Sequence, residues 1–344
     1  MTNVKAYFRS HMRENLRTLV FILAIVLAVT ALTGFNEQSR QYSFYDNEHM
    51  LHRGYDAGLD FSVGILILLA FVLPVSEFAF FKRRINLDCA YSLPISRRAM
   101  GTVHYLTGLI TLFSAFTLSY LLNFAFLLSI GGEHFNFMPM LAHYFLCLIL
   151  GFAIYSVMVF VFNEANSVGD GIWFMLQYTL VFGLIVLALA LLIDNAYILD
   201  YGGASLPFRV FSTLTESYEG VIEVNYKLSV KKLILWWQIP QYVFWLLFWI
   251  GLGILSAVGF FLSFGKRRTE KIGEISDSFF GSRTLIPVYA LCLMIIQNLE
   301  FKHIAIWTII ELLALAGYTG YRRGFHYKKS DIAILCLLVI FLFV

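Results

Sequence analysis

Two carboxylates, Glu77 and Glu311, sit inside runs of sequence that are otherwise apolar enough to cross a membrane. An ionisable side chain in such a run marks a functional point or a buried partnership by default. Glu77 lies near the end of the second run, about one turn before Lys82. Two roles follow for it: a snorkelling partner for Lys82 or Arg83, or a polar point on a translocation path. By topology its nearest histidine is His104, at the start of the third run. A carboxylate beside an imidazole is the minimum equipment for acid–base chemistry. Glu311 lies mid-run, where Tyr318 or a neighbouring helix would satisfy it. The remaining histidines (11, 49, 52, 134, 143, 303 and 326) are scattered. His49 and His52, with Asp46 or Glu48, have ligand chemistry but fall in a segment that reads as a solvated loop.

The usual catalytic and cofactor motifs are missing. There is no GxxxxGK[ST]; the stretch Gly259 to Lys266 has the wrong spacing, and Arg267 stands where Ser or Thr belongs. No HExxH and no Gly-x-Ser-x-Gly occurs. Cys89, Cys147, Cys292 and Cys336 show no paired metal spacing, and a disulfide framework is not expected. The expectation is therefore no catalytic, cofactor-binding or metal site on this chain.

The elements that position these residues are helices. Of 344 residues, 59% are hydrophobic and 14% charged, where a soluble chain carries about a quarter charged. The fold class is all-α, a polytopic transmembrane helical protein. Residues 1–17 place Val4, Phe8, Met12 and Leu16 on one stripe and Lys5, Arg9, Arg13 and Arg17 on the next. That pattern predicts an amphipathic helix lying in a cytosolic interface against anionic lipid headgroups. No small-residue cleavage site ends the first run, so it stays in the membrane.

Six spans follow, at about 18–35, 61–81, 103–130, 140–162, 171–193 and 236–264. Pro74 predicts a kink in the second. The domains read as an interfacial helix over 1–17, a six-span core over 18–264, a basic linker over 265–284 and a C-terminal membrane extension over 285–344. The extension holds two or three shorter spans; its last apolar run, 332–344, is too short to cross alone. A long connection, 194–235, separates spans five and six. With the N-terminus in the cytosol, the inner segments hold 18 of the 25 Lys and Arg, and the positive-inside rule selects that orientation.

One inner segment is more elaborate than a turn. Residues 82–98 carry five basic side chains and one acid, and a Leu93-Pro94 break separates a short helical stretch from a new helix start. Ser96 is its candidate N-cap. The string Asp88-Cys89-Ala90-Tyr91-Ser92-Leu93-Pro94-Ile95-Ser96-Arg97-Arg98 resembles the D-x-x-x-SLPISR signature of ABC-2 type (type II exporter) ABC transporter permeases. A second string, Phe264 to Glu274, is similar to the segment that follows span six in that family. The resemblance covers about 1–275, and the extra C-terminal spans look like those of longer permeases of Gram-positive bacteria.

The resemblance implies a permease subunit of an ATP-driven exporter in a bacterial plasma membrane. A cytosolic ATPase subunit, one of two per transporter, would dock on the coupling loop 82–101 through Arg84, Asp88, Leu93, Pro94, Ser96, Arg97 and Arg98. ATP and Mg would sit on those partners and no cofactor on this chain. A second permease copy or a paralogue would complete the dimer; membrane lipids are partners and nucleic acid is not. The aromatic, weakly charged spans suit an amphipathic cargo such as a modulin- or bacteriocin-like peptide, or another lipophilic molecule. Two other readings stay open: a membrane-embedded enzyme, recognisable by ionisable residues gathered in one place, and a non-transporting peptide sensor or immunity subunit.

Overall fold

A computed structural model describes residues 2–37, 41–45, 51–55, 59–83, 92, 94–131, 137–192, 240–266, 272–276, 278–300, 304–325 and 327–340. Nine helices are described: α1 (Thr2–Glu37), α2 (Leu59–Phe78), α3 (Arg97–Gly131), α4 (Phe137–Glu164), α5 (Val168–Leu192), α6 (Pro240–Phe264), α7 (Ser282–Glu300), α8 (Ile304–Arg322) and α9 (Lys329–Ile340). Among the described residues six helices, α1 to α6, are long and apolar enough to cross a bilayer. Their bounds follow the apolar runs of the sequence to within a few residues, apart from extensions at the starts of α1 and α3. The chain is thus an all-α, multi-pass membrane protein. One small departure is an antiparallel hairpin of β1 (Gln41–Tyr45) and β2 (Leu51–Tyr55), paired Gln41 with Tyr55 through Tyr45 with Leu51.

Residues 2–17 run into the first span with no break in the helix. They are the opening turns of α1, which is continuous for 36 residues. The basic side chains of its first turns are exposed, as the pattern requires, but Val4 and Leu16 are exposed too. The packed face is carried by Tyr7, Phe8, His11, Met12 and Asn15. Helix α2 stays helical through Pro74 and tightens into a 3-10 turn over Ala79–Lys82.

The chain divides into two compact units. The first comprises residues 1–77, 91–158 and 207–266. Its helices approach closely where side chains are small. A Cβ on Gly253 of α6 would lie 2.4 Å from the Ala153 Cα of α4, so these two backbones touch. Without water to drive them together, membrane helices associate through such contacts and through shared hydrogen bonds. A buried hydroxyl chain supplies the latter: Thr30 Oγ1 to Ser119 Oγ at 3.0 Å, Ser119 to Ser62 Oγ at 2.9 Å, and Asn123 Nδ2 donating to Ser62 at 2.7 Å. It joins α1, α2 and α3.

The second unit comprises residues 78–90, 159–206 and 267–344. Lys82, buried, donates through Nζ to the carbonyls of Phe162 (2.7 Å) and Ala165, and lies over the Phe162 ring. It satisfies backbone acceptors that the end of α4 leaves open, at the end where a cation is favoured. Ser167 starts α5, its hydroxyl accepting from the Asp170 amide at 3.1 Å. Ile286, Ala290, Met294, Ile310, Ala314 and Tyr318 form the core of α7 and α8. At the far end Arg322 forks onto the fully buried Asp331, with Nε to Oδ2 at 2.9 Å and a terminal nitrogen to Oδ1 at 3.2 Å. Asp331 Oδ2 also accepts from the Lys328 amide at 3.1 Å, closing the first turn of α9.

The connection 194–235, the linker residues 267–271 and the run 341–344 lie outside the described residues.

Candidate functional site

Three helices of the first unit bring a polar group together inside an apolar bundle. From α1 come Tyr7, His11 and Asn15, spaced by four and therefore on one face. From α2 comes Glu77, and from α3 comes His104, both buried. Glu77 Oε2 receives both imidazoles: His11 Nε2 at 3.1 Å and His104 Nδ1 at 3.2 Å. Its other oxygen, Oε1, accepts from Asn15 Nδ2 at 3.3 Å. The far nitrogen of His104, Nε2, meets the Tyr7 hydroxyl at 3.0 Å. The two imidazole rings lie 4.0 Å apart, centroid to centroid.

The surrounding packing explains why the group is held there. Gly108, one turn beyond His104, has no side chain, and the space is filled by the Tyr155 hydroxyl and the Glu77 methylenes; a Cβ there would fall 2.1 Å from that hydroxyl. Tyr155 in turn donates to the Tyr105 carbonyl at 3.2 Å, and Tyr105 meets Ser156 Oγ at 2.6 Å. Each polar group named here is engaged by another, as a low-dielectric interior demands.

Chemically, the cluster offers one carboxylate and two imidazoles, ligand atoms His11 Nε2, Glu77 Oε2 and His104 Nδ1, all within 4.8 Å of one another. It is a set that moves protons or holds a cation. Chain topology alone makes Glu77 and His104 neighbours; it does not join His11, Tyr7 and Asn15 to them. The sequence does carry a signal for these three. Tyr7, His11 and Asn15 form a third four-residue repeat beside the apolar and basic stripes of the N-terminal segment.

Of the other sequence candidates, Pro94, Ser96, Arg97 and Arg98 are described and exposed, at the start of α3. Ser96 is the N-cap expected of it: its Oγ accepts from the Ala99 amide at 3.3 Å and its carbonyl from the Met100 amide at 3.0 Å. Arg98 lies over Gly265, where a Cβ would meet its side chain at 2.6 Å. Arg84, Asp88 and Leu93 lie outside the described residues, as do the side chains of His49 and His52. Glu311 is not served by Tyr318, whose hydroxyl is directed to the Arg283 carbonyl at 3.5 Å; Glu311 Oε1 has no hydrogen-bond partner among the described residues.

The fold and this site define a multi-pass helical membrane protein with a polar cluster built into its first three spans. No family model, no curated protein and no solved structure matches the chain significantly.

Proposed function

We propose that this chain is the membrane subunit of an ATP-driven exporter of the ABC-2 type, in a bacterial plasma membrane with its N-terminus in the cytosol. The observation that carries the reading is the stretch Asp88 to Arg98, with its SLPISRR string, running directly into the capped start of a 35-residue helix. A force delivered to that stretch has a rigid path: Ser96 ties the first turn of α3, and α3 continues without a break for the thickness of a bilayer. The exposed Arg97 and Arg98 offer charge to an acidic groove on a partner. ATP and Mg belong to two cytosolic ATPase subunits, a second permease copy or paralogue completes the assembly, and an amphipathic peptide is the cargo class the aromatic spans suit.

Co-expression of the tagged chain with the ATPase encoded beside it tests this. A complex with two ATPases that hydrolyses ATP, and that loses coupled hydrolysis in Arg97→Glu/Arg98→Glu while the chain stays in the membrane, is the expected result. A chain that purifies alone under several mild detergents, or a double variant with undiminished coupled hydrolysis, overturns it.

A second reading draws on a different observation. The gathering of His11, Glu77 and His104 is the arrangement a membrane-embedded enzyme would need. Retention of ATP-coupled export in Glu77→Gln removes that reading; loss of an ATPase-independent activity in the same variant supports it.

A further inference from the structure

The geometry points to a binding site for one divalent first-row transition ion, of the zinc class, between His11 of α1, Glu77 of α2 and His104 of α3. The site rests on the cluster alone and stands or falls apart from the exporter reading.

Distances come first. Zinc takes imidazole nitrogen and carboxylate oxygen at about 2.0–2.2 Å, which sets neighbouring ligand atoms of a tetrahedron about 3.3–3.6 Å apart. The carboxylate–imidazole edges here are 3.1 and 3.2 Å. The third edge, between the two ring nitrogens, is within 4.8 Å. Two histidines with one carboxylate is a set used for both zinc and iron(II), with a remaining position for water or another oxygen.

The second observation is a set of shared contacts. His11 Nε2 lies 3.1 Å from Glu77 Oε2 and 3.0 Å from Asn15 Nδ2, and Asn15 Nδ2 also donates to Glu77 Oε1 at 3.3 Å. With its hydrogen on Nδ1, His11 turns the Nε2 lone pair toward Glu77 Oε2, and a cation held by both atoms satisfies the pair while Asn15 keeps its bond to Oε1.

The third observation is the support of the ligands. With His104 Nδ1 on the metal, its Nε2–H donates to the Tyr7 hydroxyl at 3.0 Å, the contact already present. Metal-bound imidazoles are commonly oriented by such a partner on the far nitrogen, and losing it weakens binding about 10- to 100-fold. Asn15 performs the same service for the carboxylate. Because the three ligands belong to three helices, the ion would staple the start of α1 to the end of α2 and the start of α3.

The test uses the full-length chain, purified in detergent and stripped with a chelator. Zinc is titrated against a chromophoric chelator and counted by elemental analysis, and cobalt(II) is used as a visible reporter. The expected result is one zinc per chain, a cobalt spectrum of low coordination number, and a higher unfolding temperature with zinc than with chelator. Tyr7→Phe should weaken binding about 10-fold or more while retaining the one-to-one count. His11→Ala/His104→Ala should lose it, and His49→Ala/His52→Ala should not. A wild-type chain that holds no zinc, or a His11→Ala/His104→Ala chain that holds as much as wild type, overturns the site. If the double variant does not fold, the wild-type count together with Glu77→Gln, which keeps the side-chain shape and removes the charged ligand, decides the matter: no zinc on the wild type, or equal zinc affinity in the two, overturns it.

Discussion

His104 Nδ1 and Glu77 Oε2 meet at 3.2 Å although they lie 27 positions apart in the chain, with the entire basic stretch between α2 and α3 between them. The pair therefore closes the two ends of that stretch. Whatever acts on residues 82–98 acts on a loop whose flanking helices are tied to each other, and to α1, by one buried carboxylate.

The carboxylate should matter to stability more than its neighbours. Glu77→Leu strands two imidazoles and the Asn15 amide in an apolar bundle, a loss of about 2 kcal/mol. Glu77→Gln keeps an acceptor at one position and should lose less. Thermal unfolding in detergent ranks the two; equal losses would show that the side chain acts by shape and not by its hydrogen bonds.

Two glycines of α6 should respond oppositely to the same substitution. Gly253→Ala drives a Cβ into the Ala153 backbone of α4, with about 1–3 kcal/mol of overpacking. Gly251 has open space where its Cβ would be, so Gly251→Ala should be neutral or stabilise by up to about 1 kcal/mol through helix propensity. Unfolding measurements on the two variants check this, and matching effects would contradict the α4–α6 contact.

Ser96→Ala removes the side-chain acceptor from the first turn of α3. A cap of this kind contributes about 1 kcal/mol, so amide exchange at Ala99 should quicken about fivefold while the middle of α3 is unchanged. Unaltered exchange at Ala99 would mean that the hydroxyl does not hold the turn.

At the other end of the chain, Arg322→Met leaves the fully buried Asp331 carboxylate without its guanidinium, at a cost of about 3–5 kcal/mol. Adding Asp331→Asn removes the charge and keeps an acceptor for the Lys328 amide. The double variant should unfold at a higher temperature than Arg322→Met alone. A double variant no more stable than the single would show that the charge is not what makes the single substitution costly.

Much of the bundle is legible in the amino-acid sequence. Runs such as 140–162 and 171–193 are apolar over a bilayer's length, and a backbone in hydrocarbon must satisfy its own hydrogen bonds, so such a run has little choice but helix. Ser96 is legible as a cap for a similarly local reason: the residue and its bonding partner lie three positions apart. The N-terminal segment is legible only in part. Its stripes are visible, but an apolar stripe and a stripe of tyrosine, histidine and asparagine repeat with the same period, and the packed face takes Phe8 and Met12 from the first together with the whole of the second.

The sequence by itself determined the helices and their order, because backbone satisfaction in lipid and the side-chain periodicity of a helix are local rules. Only the tertiary structure decided that Tyr7, His11 and Asn15 face Glu77 and His104, and that Arg322 is spent on Asp331 and not simply exposed to water. Partners of that kind are chosen by which helices lie side by side and at what rotation. Packing of small residues such as Gly108 and Gly253 sets that rotation, and no single segment of the chain contains it.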